Sequence, residues 1–178
     1  MSSNSRYDVV IIGNYTKDTI ISPAGTRYVD GGGFNYGAHV AAMMGLKTAA
    51  VTRLAREDQR VVEALLRLGI AVYPTYTDYS TIMELYYPTT DVDIRTLTVA
   101  HTAGAFIPEQ VRPLQAGAFL INSSIRGEVD LDVIKALREK DALLVPMCRV
   151  SPASSLPMEL LSTMNGKRKK KCSRTSIS

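Results

Sequence analysis

The chain has 178 residues and a formal net charge of +4, and 46% of its residues are hydrophobic while 21% are charged. This length suits one domain with a substantial core, and the composition is ordinary for a globular protein. No apolar run approaches the roughly 20 residues that a membrane span needs, and the first one, 9–12, is too short for a signal peptide. We therefore expect a cytoplasmic protein with no membrane partner.

The first predicted elements alternate between strands and helices. An apolar run at 8–12 ends at Gly13 and is typical of a strand buried on both faces of a parallel sheet. A helix rich in small residues is predicted over 34–45, and an amphipathic helix over 57–68 with Val61, Leu65 and Leu68 on its apolar face. Short strands are predicted at 19–22, 48–52 and 70–73.

The composition changes over 73–100, where tyrosine and threonine dominate. Two exposed strands are predicted there, at 81–86 and 95–100, because these residue types suit a half-exposed sheet. We expect a flat sheet that offers one face to a ligand or a partner.

The alternation of strands and helices then returns. Strand 118–122 is followed by a helix that Asp130 can cap, and then by strand 143–145. The apolar face of this helix is expected to hold Leu131, Ile134 and Leu137. Such alternation predicts a parallel, doubly wound α/β sheet.

A run of three glycines, Gly31, Gly32 and Gly33, opens the predicted Ala-rich helix. Glycines at a helix start let a ligand approach the backbone, whose free N–H groups bind hydroxyl or anionic oxygens. An ordinary glycine hinge is the alternative. A dinucleotide site is weaker, because the spacing to Gly37 misses G-x-G-x-x-G by one position and Asp30 precedes the run.

The order of these features resembles the N-terminal motif of ribokinase-type (PfkB) carbohydrate kinases. A strand ends in Gly13, Asp18 follows, and a lid-like strand leads to a glycine pair and to a helix that closes at Gly45. The resemblance covers roughly 7–145. It implies a ribokinase-like three-layer parallel sheet, here truncated, with a small β lid whose strands lie around 15–30 and 73–100.

The resemblance assigns substrate contacts to Asp18, Gly31, Gly32, Gly33, Tyr36, Glu84, Arg95 and Gly104. Asp18 would hold substrate hydroxyls, and the glycine backbone would face a sugar. Tyr36 stands where the family often has Asn, which fits a divergent subgroup better than ribokinase itself. Glu84 and Arg95 would belong to the lid, and Gly104 to the stretch where the lid rejoins the main sheet.

The family's second signature, a G-A-G-D motif with the catalytic Asp, is not found, since Gly104-Ala105 leads to Phe106. ATP and Mg are the cofactors that the family implies. Their sites, like the catalytic Asp, belong to the half of the family fold that this sequence does not show, so no catalytic residue is predicted. We expect the sugar- or nucleoside-binding part of a kinase, inactive alone. The alternative is a non-catalytic module that binds a ligand or forms a homodimer through its lid.

The positive charge lies in the last 14 residues, which contain no acid but include Lys167, Arg168, Lys169, Lys170, Lys171 and Arg174. The rest of the chain has 15 basic and 17 acidic residues, so it is not a basic platform for nucleic acid. Association with nucleic acid through the tail is an alternative that we do not favour.

We expect residues 1–145 to form the kinase-like domain and 146–178 an irregular basic tail. One choice of codons for 146–152, read in another frame, gives Asp-Val-Gln-Gly-Phe-Ala, a loop of the kind that follows such a strand in this kinase fold. The tail is therefore expected to arise from a frameshift in the gene or in its sequencing, and the nucleotide sequence after codon 145 would test this.

Cysteine and histidine provide no metal site in the prediction. Cys148 and Cys172 have no metal-ligand spacing with each other or with His39 and His101, so two free thiols are expected. His39 is expected to be packed in its helix, and His101 to make a structural hydrogen bond.

Overall fold

A computed structural model describes residues 6–147 of the protein. Five strands form a parallel sheet, called the body sheet: β1 (Tyr7–Ile12), β4 (Thr48–Ala55), β5 (Ala71–Thr77), β8 (Ala116–Ile121) and β9 (Leu143–Pro146). Their order across the sheet is β5-β4-β1-β8-β9. The carboxyl ends of β1 and β8 are thus neighbours, which is where open α/β sheets place their ligand sites.

Helices cover both faces of the body sheet, which gives three layers. The helices are α1 (Gly33–Met43), α2 (Gln59–Arg67) and α3 (Leu131–Arg138). Alternate residues of β1 enter different cores, because successive side chains of a strand point to opposite faces. Ile11 packs with residues of α1 and α2, whereas Val10 and Ile12 pack with residues of α3.

A second sheet, called the lid sheet, has the strand order β3-β2-β6-β7. Its strands are β2 (Thr16–Ser22), β3 (Gly25–Gly31), β6 (Thr81–Tyr86) and β7 (Thr96–His101). The β2 strand pairs antiparallel with β3 and parallel with β6, and β7 pairs antiparallel with β6. This confirms an α/β fold with a parallel main sheet and a small β lid.

The predicted lid segment 73–100 begins too early. Residues 73–77 are the second half of β5, which pairs in parallel with β4 at the edge of the body sheet. Tyrosine and threonine are accommodated there because an edge strand is only partly covered. The Tyr73 hydroxyl, for example, forms a 2.7 Å hydrogen bond with the Tyr7 hydroxyl.

Two helix predictions also need correction. Asp130 occupies the N-cap position of α3, but its side chain makes no capping hydrogen bond. The buried face of α3 is formed by Val133, Ala136 and Leu137, while Leu131 is 53% exposed, so the contact with the sheet is rotated from the predicted face. Leu68 lies beyond the end of α2 and is exposed.

The histidines have structural contacts. The His39 Nδ1 lies 2.8 Å from the Asn35 carbonyl oxygen, as expected for a packed helix residue. His101 stacks on Tyr79 with ring centroids 4.6 Å apart, in place of the hydrogen bond that we expected.

Some sequence predictions fall outside residues 6–147. Both cysteines lie outside this range. The predicted frameshifted tail also lies outside it, except for its first two residues, Pro146 and Met147. Within the described range, no helix is long and apolar enough to span a bilayer.

Candidate functional site

Asp18 and Gly31 adjoin each other on one face of the lid sheet. Gly31 pairs with Thr16, and Asp18 lies two residues further along β2, so the side chains of Thr16 and Asp18 share a face. A Cβ atom at Gly31 would overlap both the Asp18 carboxyl and the Thr16 hydroxyl. The missing side chain of Gly31 therefore lets two polar groups lie directly against the backbone.

Gly32 forms the N-cap of α1 with φ of 90° and ψ of 125°, a conformation that glycine adopts far more readily than other residues. Its carbonyl oxygen accepts a hydrogen bond from the Asn35 N–H at 3.0 Å, which begins the helix. A Cβ atom at Gly32 would lie 2.5 Å from the Asn14 carbonyl oxygen. The backbone of α1 thus starts close to the end of β1, and the first N–H groups of a helix have no partner within it.

Asn122 supplies a further polar group that the sequence analysis missed. It directly follows β8, and its N–H donates to the Ile12 carbonyl oxygen at 2.8 Å. A Cβ atom at Gly33 would overlap the Asn122 side chain. A polar residue just after a parallel strand was the available signal for Asn122, and strand alternation was the signal for Thr16.

Gly104 lies between β7 and β8, where the chain returns from the lid to the body. Its carbonyl oxygen accepts a 2.9 Å hydrogen bond from Asn14 Nδ2, and its φ is +82°. Arg53 Nε donates to the Ala103 carbonyl oxygen at 2.8 Å, and burial lowers the pKa of this guanidinium. Residues 102–106, called the lid return, are thereby tied to the carboxyl ends of β1 and β4.

The structure places Glu84 and Arg95 away from Asp18. Glu84 pairs with Thr19, so strand alternation places it on the opposite face of the lid sheet, and it is exposed. Arg95 is exposed and precedes β7, at the far end of the lid sheet from Gly31. Tyr36 lies on α1 and is 54% exposed.

The opposite face of the lid sheet carries an ionic network. Arg60 binds both carboxylate oxygens of Asp30, at 2.6 and 2.7 Å, and the Tyr15 hydroxyl donates to the same group. The hydrogen bonds from Arg60 lower the pKa of Asp30, while burial and Asp30 raise the pKa of Tyr15 far above its usual value. Nearby, Lys17 pairs with Glu57 at 2.7 Å and with Asp58 at 3.1 Å.

A cavity of about 240 Å³ lies beside this network, and Lys17, Thr19, Asp30 and Arg60 contribute to its wall. Asp18 also contributes atoms, but none of the three glycines does. This cavity is therefore not the predicted cradle between Asp18 and the glycines. Its wall is formed by residues of β2, β3 and β6, by Tyr15 and by Arg60 of α2.

Among residues 6–147, no group of three or more His, Cys, Asp and Glu side chains is arranged to hold a metal ion. Asp18, Thr16 and Asn122 instead offer one carboxylate, one hydroxyl and one amide beside free backbone N–H groups. Such a set of donors and acceptors matches hydroxyl groups.

No protein-family model matches this sequence, and no curated protein matches it significantly. Solved structures do match. A pyrophosphate-dependent kinase in the ribokinase family, solved as a sulfate complex, is 27% identical with a TM-score of 0.70 over 78% of this chain and 49% of that chain. A complex of such a kinase with a pyrophosphate analogue and myo-inositol is 26% identical, with a TM-score of 0.70 over 78% and 48%.

Ribokinase from Arabidopsis thaliana, complexed with ribose and ATP, is 18% identical with a TM-score of 0.61 over 88% of this chain and 58% of that chain. The chain thus spans about half the length of the structures it matches. The chain therefore has the ribokinase-like fold, and its neighbours in structure are ribokinase-family kinases.

Proposed function

We propose that this chain is the substrate-binding part of a ribokinase-type carbohydrate kinase and binds a polyhydroxylated small molecule. The observation that carries the proposal is the contact between the Asp18 carboxyl and the Gly31 backbone, beside the start of α1. A carboxylate accepts hydrogen bonds from neighbouring hydroxyls, and free peptide N–H groups donate to hydroxyl oxygens. Together they suit a diol.

The same groups favour an uncharged polyol over a sugar phosphate. The Asp18 carboxylate would repel a phosphate held close to it. Myo-inositol and ribose, the ligands in two of the matching structures, belong to this uncharged class. We take myo-inositol as the first ligand to test, because its complex has the higher sequence identity.

Phosphoryl transfer requires a donor held in line and groups that stabilise the transferring charge. The matching kinases use pyrophosphate or were solved with ATP, and the family resemblance adds Mg. We identify no phosphate clamp among residues 6–147. We therefore propose that the purified chain binds its polyol without turnover, and transfer of phosphate from ATP or pyrophosphate would contradict this.

Asp18→Asn should weaken binding of myo-inositol about tenfold or more, because hydrogen bonds to a charged acceptor are worth about 1.5–3 kcal/mol. Titration calorimetry on the purified chain measures this. Glu84→Gln is the matched control, since it neutralises a carboxylate on the opposite face of the lid sheet. Equal weakening by both variants, or a wild-type chain that binds neither myo-inositol nor ribose, would contradict the proposed site.

We further propose that two copies pair through their lids. Leu85, Leu97 and Val99 share the lid face of Asp18, and Leu97 and Val99 are 41% and 39% exposed. An apolar sheet face of this kind needs cover. Sedimentation should show a dimer that Leu97→Glu dissociates, while Thr96→Glu, on the other face, leaves it intact. A monomeric wild type would refute the pairing.

A tail that associates with nucleic acid is the remaining alternative. Deletion of residues 167–178 should leave DNA binding unchanged at low and at high salt. A loss of salt-sensitive binding on deletion would support the alternative.

A further inference from the structure

Glu128 is a buried acid that the proposed binding reaction does not use. Only 1% of the residue is exposed. Its Oε2 accepts a 2.7 Å hydrogen bond from the Ser124 N–H, whereas its Oε1 is buried and has no hydrogen-bond partner. Its own carbonyl oxygen accepts from the Phe106 N–H at 2.7 Å, so the residue contacts the lid return. A buried oxygen without a donor is costly and needs an explanation.

Asn14 presents the same problem next to Glu128. Its side chain is fully buried, and its Oδ1 also has no hydrogen-bond partner. Its Nδ2 donates to the Gly104 carbonyl oxygen at 2.9 Å. The Asn14 amide is also among the hydrogen-bonding groups that act on the Glu128 carboxyl, so the two side chains are neighbours. Both unpartnered atoms are acceptors when Glu128 is ionised.

We propose that Glu128 is protonated in the folded protein and donates its proton to Asn14 Oδ1, which makes it a positioning residue for the lid return at Gly104. One O–H donor satisfies both unpartnered oxygens at once. The fixed Asn14 amide then holds Gly104 through its Nδ2. The link to substrate rests on the proposed function, because the Asn14 backbone carbonyl lies against Gly32 at the start of α1.

The surroundings of Glu128 favour the neutral acid. None of the ion pairs within residues 6–147 includes Glu128. The charged Arg53 approaches the same lid return, but it donates to Ala103 and does not act on this carboxyl. Burial raises the pKa of Glu128 to about 7, although hydrogen bonds to the ionised carboxylate, from the Ser124 and Ile125 N–H groups and from the Asn14 amide, lower it. In the neutral acid the bond to Asn14 is reversed, and the Glu128 O–H donates to Asn14 Oδ1. Burial has the larger effect because no charge opposes it.

The proton should therefore be lost as the pH rises through about 7. The folded protein then holds more protons than the unfolded chain between pH 4.5, the ordinary value, and about 7. Stability consequently falls as the pH rises across that interval and is constant above it. Over the same pH range, Asn14 Oδ1 loses the hydrogen bond from the Glu128 O–H. The Asn14 side chain is then less firmly fixed, and its hydrogen bond to the Gly104 carbonyl oxygen weakens.

A titration of the wild-type chain labelled with ¹³C at the glutamate carboxyls tests the first part without any variant. We expect a Glu128 midpoint near 7. Hydrogen exchange of residues 102–106, relative to the intrinsic rates, tests the second part. Between about pH 6 and about pH 8, wild-type protection of the lid return should fall several-fold. Protection in Glu128→Gln should stay constant, because its amide donates at every pH.

Glu109→Gln is the matched control, since Glu109 is exposed and lies just beyond the lid return. It should behave like the wild type. A Glu128 midpoint in the ordinary glutamate range would overturn the proposal, and so would wild-type protection that does not change with pH. A midpoint that moves with potassium or sodium concentration would assign a cation to the two oxygens and overturn it too. Failure to bind myo-inositol would refute the proposed function alone, because neither readout uses a ligand.

Discussion

Gly32→Ala is expected to lower the free energy of unfolding by about 3 kcal/mol or more and to abolish polyol binding. Two costs combine. A non-glycine residue in the backbone conformation of Gly32 costs about 1–3 kcal/mol, and its Cβ would lie 2.5 Å from the Asn14 carbonyl oxygen. That oxygen belongs to the end of β1 and cannot yield without moving the site. Denaturant unfolding and calorimetric titration with myo-inositol measure the two effects.

Gly45→Ala is the matched control for the backbone conformation. Gly45 also has positive φ, +77°, but a Cβ there would meet nothing within 4 Å. It should cost only about 1–2 kcal/mol and leave binding unchanged. If Gly32→Ala and Gly45→Ala lowered the free energy of unfolding equally, the close approach of Gly32 to Asn14 would contribute nothing to stability. The site geometry would then be wrong.

Asp58→Ala should lower the free energy of unfolding by about 2–4 kcal/mol. Asp58 is 3% exposed, and it accepts a 2.6 Å hydrogen bond from the Ser80 hydroxyl while pairing with Lys17. Its removal leaves a buried hydroxyl without an acceptor and weakens the attachment of β2 to α2. Thermal unfolding measures the loss, and hydrogen exchange should increase along β2.

Glu57→Ala removes the other carboxylate partner of the same lysine. Glu57 lies closer to Lys17 than Asp58 does, 2.7 Å against 3.1 Å, and its hydrogen bond is the main cause of the raised pKa of Lys17. Its side chain is 72% exposed, however, so water screens the pair. We expect a loss of about 0–1 kcal/mol. A larger loss for Glu57→Ala than for Asp58→Ala would reverse the assigned roles.

Features that depend on local sequence were predicted well. The apolar run of β1 requires burial on both faces, and the small residues of α1 with the glycines before them define its start. The hairpin of β2 and β3 was not predicted from its own residues. Asp18 was placed with the glycines only by the resemblance to the ribokinase-type motif.

Features that depend on pairing between distant segments could not be predicted. The face on which Glu84 lies is set by the register of β6 against β2, which no residue near Glu84 specifies. Residues 73–77 have a lid-like composition, yet their register with β4 places them in the body sheet. Asn122 and Glu128 reach the site region only through the pairing of β8 with β1. The burial of Glu128 therefore had no local signal, and Asn122 had only its position after a strand.

The alternation along β2 makes ligand chemistry and lid attachment inseparable. Asp18 contacts the glycine backbone on one face, while Lys17, its neighbour, bonds to Asp58 on the other. An insertion or deletion of one residue before them would exchange the two faces. The lysine side chain would then occupy the proposed polyol site, and an aspartate would face the acids Glu57 and Asp58 at the start of α2. Length changes in this strand should thus be tolerated only in pairs.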